Sequence, residues 1–226
     1  MEAHIRFCEP TYDVLPFVAE FWNTVSNASY FAVACVHWEQ RYLAVMSVCV
    51  GVGSMLFHAT QLRGAEYADE GAMLLLALGL LEYTCPPRVW NVVAWGTYAC
   101  TLLYVCTQHY LWFVGMFGLL VLLLGVTVPC RAARLTMLAG TACWGVERAA
   151  CAHAPTLFVC HGLWHVASAY SIAYVLVYIK SESALVHRDG ELCHTAQKTA
   201  RPARCPGERP HEVDREEVLA PQCPRA

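Results

Sequence analysis

The chain has 226 residues and a formal net charge of -3; 57% of its residues are hydrophobic and only 15% are charged. Soluble domains average about 45–50% apolar and about 25% charged residues, so this composition describes a membrane-embedded protein. A charge this small, with no basic stripe interleaved with aromatic residues, excludes nucleic acid as a partner.

The N-terminal MEAHIRFCEPTYD has no basic segment leading into an apolar run, so no cleavable signal peptide is expected. Crossing ~30 Å of hydrocarbon takes about 20 mostly apolar residues. Seven windows qualify, at 20–38, 41–60, 67–84, 90–108, 110–129, 134–151 and 156–179. Short breaks such as HWEQR, QLRGAEY, CPPR and VPCRAAR separate them, and the fourth and fifth windows abut. Period-2 alternation is absent, and a bilayer admits only helices or closed barrels. The expected fold is therefore an all-α membrane protein, a seven-transmembrane helix bundle over residues 1–180. Cys35, Cys49, Cys100, Cys106 and Cys143 sit inside the apolar runs and read as small buried hydrophobes. From 181 to 226 charge and proline replace large apolar residues, which predicts a disordered polar tail.

The short loops set the orientation. Arg41, Arg88, Arg131, Arg134 and Lys180 fall on one side, and Arg6, Arg63 and Arg148 on the other. The excess of positive charge on the first side predicts a cytosolic C-terminus and a lumenal N-terminus. Cys8 and Cys151 then share the oxidising face, near the ends of the first and sixth spans, and can pair as a disulfide.

An ionisable group inside a membrane span is costly and faces the bundle interior. Ser54 and His58 lie four apart at the end of the second span, Asp69 and Glu70 open the third, and His161 and His165 open the seventh. The end of an even-numbered span and the start of an odd-numbered one lie at the same membrane face, so these residues share one depth. Positions i and i+4 share a helical face, so His161 and His165 can offer two nitrogens to one metal while His58 adds a third. Three histidines with an open fourth position form the donor set of a catalytic zinc. Plainer roles stand beside this one. Buried imidazoles also hydrogen-bond between helices without metal, Ser54 can bond the carbonyl one turn back, and Asp69 can cap its helix or orient a histidine. A bis-histidine haem would need opposed ligands on separate helices.

Four blocks, AEFWNTVSN (19–27), GVGSMLFHAT (51–60), YADE (67–70) and CHGLWHVASAY (160–170), resemble the signature blocks of the alkaline ceramidases. That family sits in a seven-helix membrane hydrolase superfamily that also holds the adiponectin-receptor relatives, and the likeness runs in order from residue 6 to about 180. The resemblance implies zinc ligands at His58, His161 and His165, and catalytic roles for Asp69 and Ser54 at the water and the scissile carbonyl. It implies hydrolysis of the ceramide amide to sphingosine and free fatty acid, an endoplasmic reticulum or Golgi membrane, and a paired Cys8 and Cys151. In the family a calcium site precedes the first span. Here that stretch reads RFCEPT: Glu9 and Glu20 remain as its possible calcium ligands, but Arg6 stands for an acid, Phe7 for Trp and Thr11 for Asn. Calcium takes six to eight oxygen ligands, and the Arg6 cation opposes it; Glu20 can instead pair with Arg6 or bond Asn23. Two other functions stay open: a hydrolase of the same superfamily acting on another lipid, and a non-catalytic, receptor-like membrane protein stapled by structural zinc. Nothing in the sequence indicates an oligomeric state.

Overall fold

The apolar windows fold as helix, and the chain turns within the polar or proline-bearing breaks, whose later residues already belong to the next helix. The computed structural model describes residues 2–199 and is all-α. Its helices are α1 (Phe21–Ser26), α2 (Ala28–Val36), α3 (Arg41–Thr60), α4 (Arg63–Glu82), α5 (Pro87–Thr107), α6 (Leu111–Thr127), α7 (Arg131–Ala150) and α8 (Val159–Thr199), with a 3₁₀ turn, Pro155–Phe158, before the last. The first window is broken between α1 and α2. Its cause is local: Ser26 Oγ and Asn27 Nδ2 both donate to the carbonyl of Asn23, at 2.9 and 2.8 Å, and so compete with the helical ladder. Gln61 and Gln108 adopt the left-handed conformation, with φ of 52° and 58°, and end α3 and α5. Gln108 thereby separates the fourth and fifth windows that abut in sequence. Pro87 opens α5, where its missing N–H has no helical partner to lose.

Among the described residues, three helices are long and apolar enough to cross a membrane: Arg41–Thr60, Pro87–Thr107 and Thr156–Ala184. Leu111–Thr127 is apolar but shorter. Length and composition therefore mark fewer crossing helices than the seven expected. The shortfall has a chemical origin in α4, which carries Glu66, Asp69 and Glu70, and in α7, which carries Arg131, Arg134, Glu147 and Arg148.

The chain divides into two units, Met1–Ile179 and Lys180–Ala226. All the chemistry below lies in the first. The last helix continues to Thr199, into the stretch expected to be a disordered tail, and residues 200–226 of that stretch lie outside the described residues.

Within the first unit, Tyr30, Leu43, Val50, Leu76, Ile172 and Leu176 form one buried cluster joining α2, α3, α4 and α8. A second, including Leu78, Leu81, Ala94, Tyr104, Phe113 and Leu120, joins α4, α5 and α6. Two glycines permit close helix approaches beside the histidines. A Cβ on Gly53 would sit 2.9 Å from the Cα of Asp69, so α3 and α4 touch backbone to backbone there. A Cβ on Gly140 would lie 3.0 Å from Ala167 Cβ and 3.2 Å from the ring of Trp164, which brings α7 against α8 between the two histidines' turns. The outer surface is apolar: Val92, Trp95, Leu111 and Val126 are 74–80% exposed. Apolar surface this widespread is what a hydrocarbon solvent accommodates.

Residues ahead of α1 run as an irregular strap over the ends of α3 and α7. Ala3 N–H donates to Gln61 O at 3.0 Å, Ala19 N–H donates to Ala59 O at 2.9 Å, and a disulfide joins Cys8 to Cys151 with Cα atoms 5.4 Å apart.

Candidate metal centre

His58 lies in the last turn of α3, and His161 and His165 lie in the first turns of α8. The rings converge from the two helices, with centroids 4.6–5.0 Å apart. All three are buried, at 1–3% exposure, and one nitrogen from each falls within 4.8 Å of the others. Nε2 of His58 and Nε2 of His161 face each other at 3.2 Å.

Each Nδ1 faces the protein. His58 Nδ1 is 2.6 Å from Glu20 Oε2, His161 Nδ1 is 3.2 Å from Glu147 Oε2, and His165 Nδ1 is 2.7 Å from Ser26 Oγ. Ser26 donates its own hydrogen to Asn23 O, so toward His165 it accepts. Behind His58 and His165 the carboxylate and the accepting hydroxyl favour a proton on Nδ1 and leave Nε2 to ligate. Behind His161 the Glu147 carboxylate approaches Nδ1 without a hydrogen bond. Tetrahedral zinc with Zn–N bonds of about 2.0–2.1 Å separates its ligand nitrogens by about 3.3–3.4 Å, close to the 3.2 Å between the His58 and His161 Nε2 atoms. Among the described residues this is the cluster of three or more His, Cys, Asp or Glu able to hold a metal.

Asp69 and Ser54 meet beside the histidines. Asp69 sits well inside α4, which starts at Arg63, and so caps nothing. Both residues line a cavity with the histidines, and Asp69 Oδ1 is buried with no hydrogen-bond partner. The close packing at Gly53 is what brings the two together. These residues and the histidines lie at one end of that cavity, which has a volume of about 560 Å³. Leu80, Val128 and Val175 line it farther along the bundle, and the largely exposed Leu122 and Leu138 mark an opening toward the surroundings between α6 and α7. Its walls are almost entirely apolar, the lining a hydrocarbon chain requires. Phe7 of the strap covers the site, its ring centroid 3.7 Å from that of His161.

The two acids considered for calcium have other occupations. Glu9 accepts the N–H groups of Trp22 and Asn23, at 2.6 and 2.8 Å, and closes the start of α1. Burial pushes its carboxyl up from the usual carboxylate value, and those two N–H groups oppose the shift. Glu20 Oε2 accepts from Asn23 Nδ2 at 3.0 Å as well as facing His58, while Arg6 pairs with Glu2 at 2.7 Å. Of the two alternatives for Glu20, the Asn23 bond forms and the Arg6 pair does not. Sequence reasoning missed Glu147, Ser26 and the role of Glu20 behind a histidine. The available signal for Glu147 was its place four residues before Cys151, at the same end of the bundle as His161.

The fold and site define an all-helical, apolar-surfaced chain with a buried, metal-competent histidine cluster lining an apolar cavity. The comparisons make the assignment specific. The ceramidase family model matches residues 1–198, and the chain belongs to that family. It is 31% identical over 80 residues to an alkaline ceramidase of Arabidopsis thaliana and 38% identical over 80 residues to alkaline ceramidase 3 of Mus musculus. Those matches cover 31% of this chain in each case, and 31% and 30% of the two relatives' lengths. A Dictyostelium discoideum protein whose name places it among the alkaline ceramidases (dcd3A) is 25% identical over 236 residues, covering 72% of this chain and 80% of the relative.

Proposed function

We propose that this chain is a zinc-dependent amidohydrolase that cleaves ceramide to sphingosine and free fatty acid within the endoplasmic reticulum or Golgi membrane. The observation that carries the reading is the convergence of His58, His161 and His165 beside Asp69 at the end of an apolar cavity. Seven spans, a lumenal N-terminus and a cytosolic C-terminus complete the proposal. The charges that lower the apolarity of α4 and α7 support it by their location: Glu66, Asp69, Glu70 and Glu147 are at most 7% exposed, so they face the bundle and not lipid.

His58, His161 and His165 would hold zinc, which when bound would supply a Lewis acid able to polarise a carbonyl and bring the pKa of water from 15.7 to about 7. The chain's own groups handle the rest. Asp69, through its unpartnered Oδ1, takes a proton from the attacking water as the C–O bond forms, and returns it to the amide nitrogen as the C–N bond breaks. Ser54, which lines the cavity with Asp69 and the histidines, donates to the carbonyl oxygen as negative charge develops there. The apolar walls hold hydrocarbon and keep bulk water from the site. No role is assigned to calcium. The receptor-like alternative is disfavoured because a structural zinc site has four closed ligands, whereas three histidines converge here.

The test is fatty-acid release by protein purified in detergent, from ceramide, from diacylglycerol and from phospholipid, before and after removal of metal. Zinc-dependent release from ceramide alone is expected. Release from the ester lipids in preference to ceramide would transfer the site to another lipid, and no release from any of them would favour the receptor-like reading.

A further inference from the structure

The single acid of α7, Glu147, is 1% exposed and is held between the strap and a histidine. Its Oε1 accepts the N–H of Cys8 at 2.9 Å. Its Oε2 faces His161 Nδ1 at 3.2 Å without hydrogen-bond geometry, and both atoms are buried with no hydrogen-bond partner. One turn later in the same helix end, Cys151 is bonded to Cys8. Phe7, the residue before Cys8, lies against the His161 ring. The strap therefore grips one histidine from two sides, directly through Phe7 and indirectly through Glu147.

We infer that Glu147 is a positioning residue that couples the Cys8–Cys151 disulfide to the metal affinity of His161. The inference rests on the zinc reading above. A carboxylate has two acceptor oxygens; here one accepts the Cys8 N–H and the other is turned toward the outer nitrogen of His161. With Cys8 anchored, Oε1 is committed and the carboxylate is fixed in the rotamer that aims Oε2 at the imidazole. Reduction removes the strap's covalent anchor. Cys8 N–H then leaves Glu147, the carboxylate regains its rotamers, and the His161 ring loses the negative group that faces its outer nitrogen. Groups that bond the outer nitrogen of a metal-binding histidine typically change metal affinity about 10–100-fold. The disulfide thus serves as a redox-sensitive determinant of metal loading on the oxidising side of the membrane.

The experiment measures zinc affinity of the full chain in detergent by chelator competition, with the visible spectrum of the cobalt-substituted protein as a second readout. Wild type and Glu147→Gln are each measured oxidised and after phosphine reduction. Gln keeps the shape but has one acceptor where Glu has two. Glu147→Gln should weaken zinc about 10–100-fold and alter the cobalt spectrum; reduction should do the same to wild type. Reduction of the Glu147→Gln protein should add less than about twofold, because the two perturbations act on one path. Glu147→Asp, which restores two acceptors on a shorter arm, should recover part of the loss and keeps the test decisive if the Gln variant folds poorly. Wild-type affinity in Glu147→Gln, or an equal loss on reduction in both proteins, would overturn the coupling while leaving the zinc site intact. Failure of the unmodified protein to bind zinc would overturn the metal reading itself, and the coupling with it.

Discussion

Gly53→Ala tests how Asp69, the proposed proton acceptor, is placed. The added Cβ would stand 2.9 Å from Asp69 Cα, 3.0 Å from Asp69 N and 3.1 Å from the carbonyl carbon of Ala68. Carbon atoms pack at about 3.5–4.0 Å, so the deficit is about 0.5–1 Å, and the atoms in the way are backbone that cannot rotate aside. α4 must move away from α3. Overpacking of this kind costs about 1–3 kcal/mol of stability, and misplacing a reacting group by about 1 Å costs about 10²-fold in rate. The ligands sit on α3 and α8, so zinc binding should persist. The assay combines fatty-acid release, zinc content and thermal unfolding of the purified variant. Gly71→Ala is the control: nothing lies within 4 Å of its added Cβ, and it should leave the rate unchanged and add a few tenths to about 1 kcal/mol of stability. A Gly53→Ala protein with wild-type turnover and unfolding temperature would refute the claim that this backbone contact positions Asp69.

Three further outcomes are expected. Asp69→Asn, which keeps the shape but loses the proton acceptor, should retain zinc and lose about 10²–10⁴-fold in turnover at nearly constant KM. Glu20→Gln should weaken zinc about 10–100-fold in equilibrium competition, since the Glu20 carboxylate backs His58 at 2.6 Å. A calcium-selective chelator should leave both turnover and unfolding temperature unchanged, because Glu9 and Glu20 are engaged by Trp22, Asn23 and His58 and Arg6 stands nearby in sequence. A fall in unfolding temperature on chelation would show that calcium binds after all.

Much of the bundle was legible because the apolar windows end in residues with known turn chemistry, such as the Pro86–Pro87 pair before α5. The count of membrane crossings was less so. A charged residue lowers the apolarity of a helix whether it faces lipid or the interior, and only packing tells that Glu66 and Glu147 point inward. The histidine cluster was readable from two regularities, the i, i+4 spacing of His161 and His165 and the alternation of span ends that puts His58 at their depth. The groups behind the rings follow neither rule. Glu20, Ser26 and Glu147 reach their histidines across helix interfaces 38, 139 and 14 positions away in sequence, at distances set by helix crossing geometry that a single sequence does not state. The break at Asn27 was similarly hidden, since it depends on two side chains choosing the Asn23 carbonyl over solvent.

The most direct measurement of the central claim is zinc-edge X-ray absorption on the purified chain, with His58→Ala beside it. The account predicts one zinc per chain, nitrogen scatterers at about 2.0–2.1 Å with the outer-shell pattern of three imidazoles, and loss of that signal in the variant. A sulfur shell near 2.3 Å, or zinc bound equally well without His58, would contradict it.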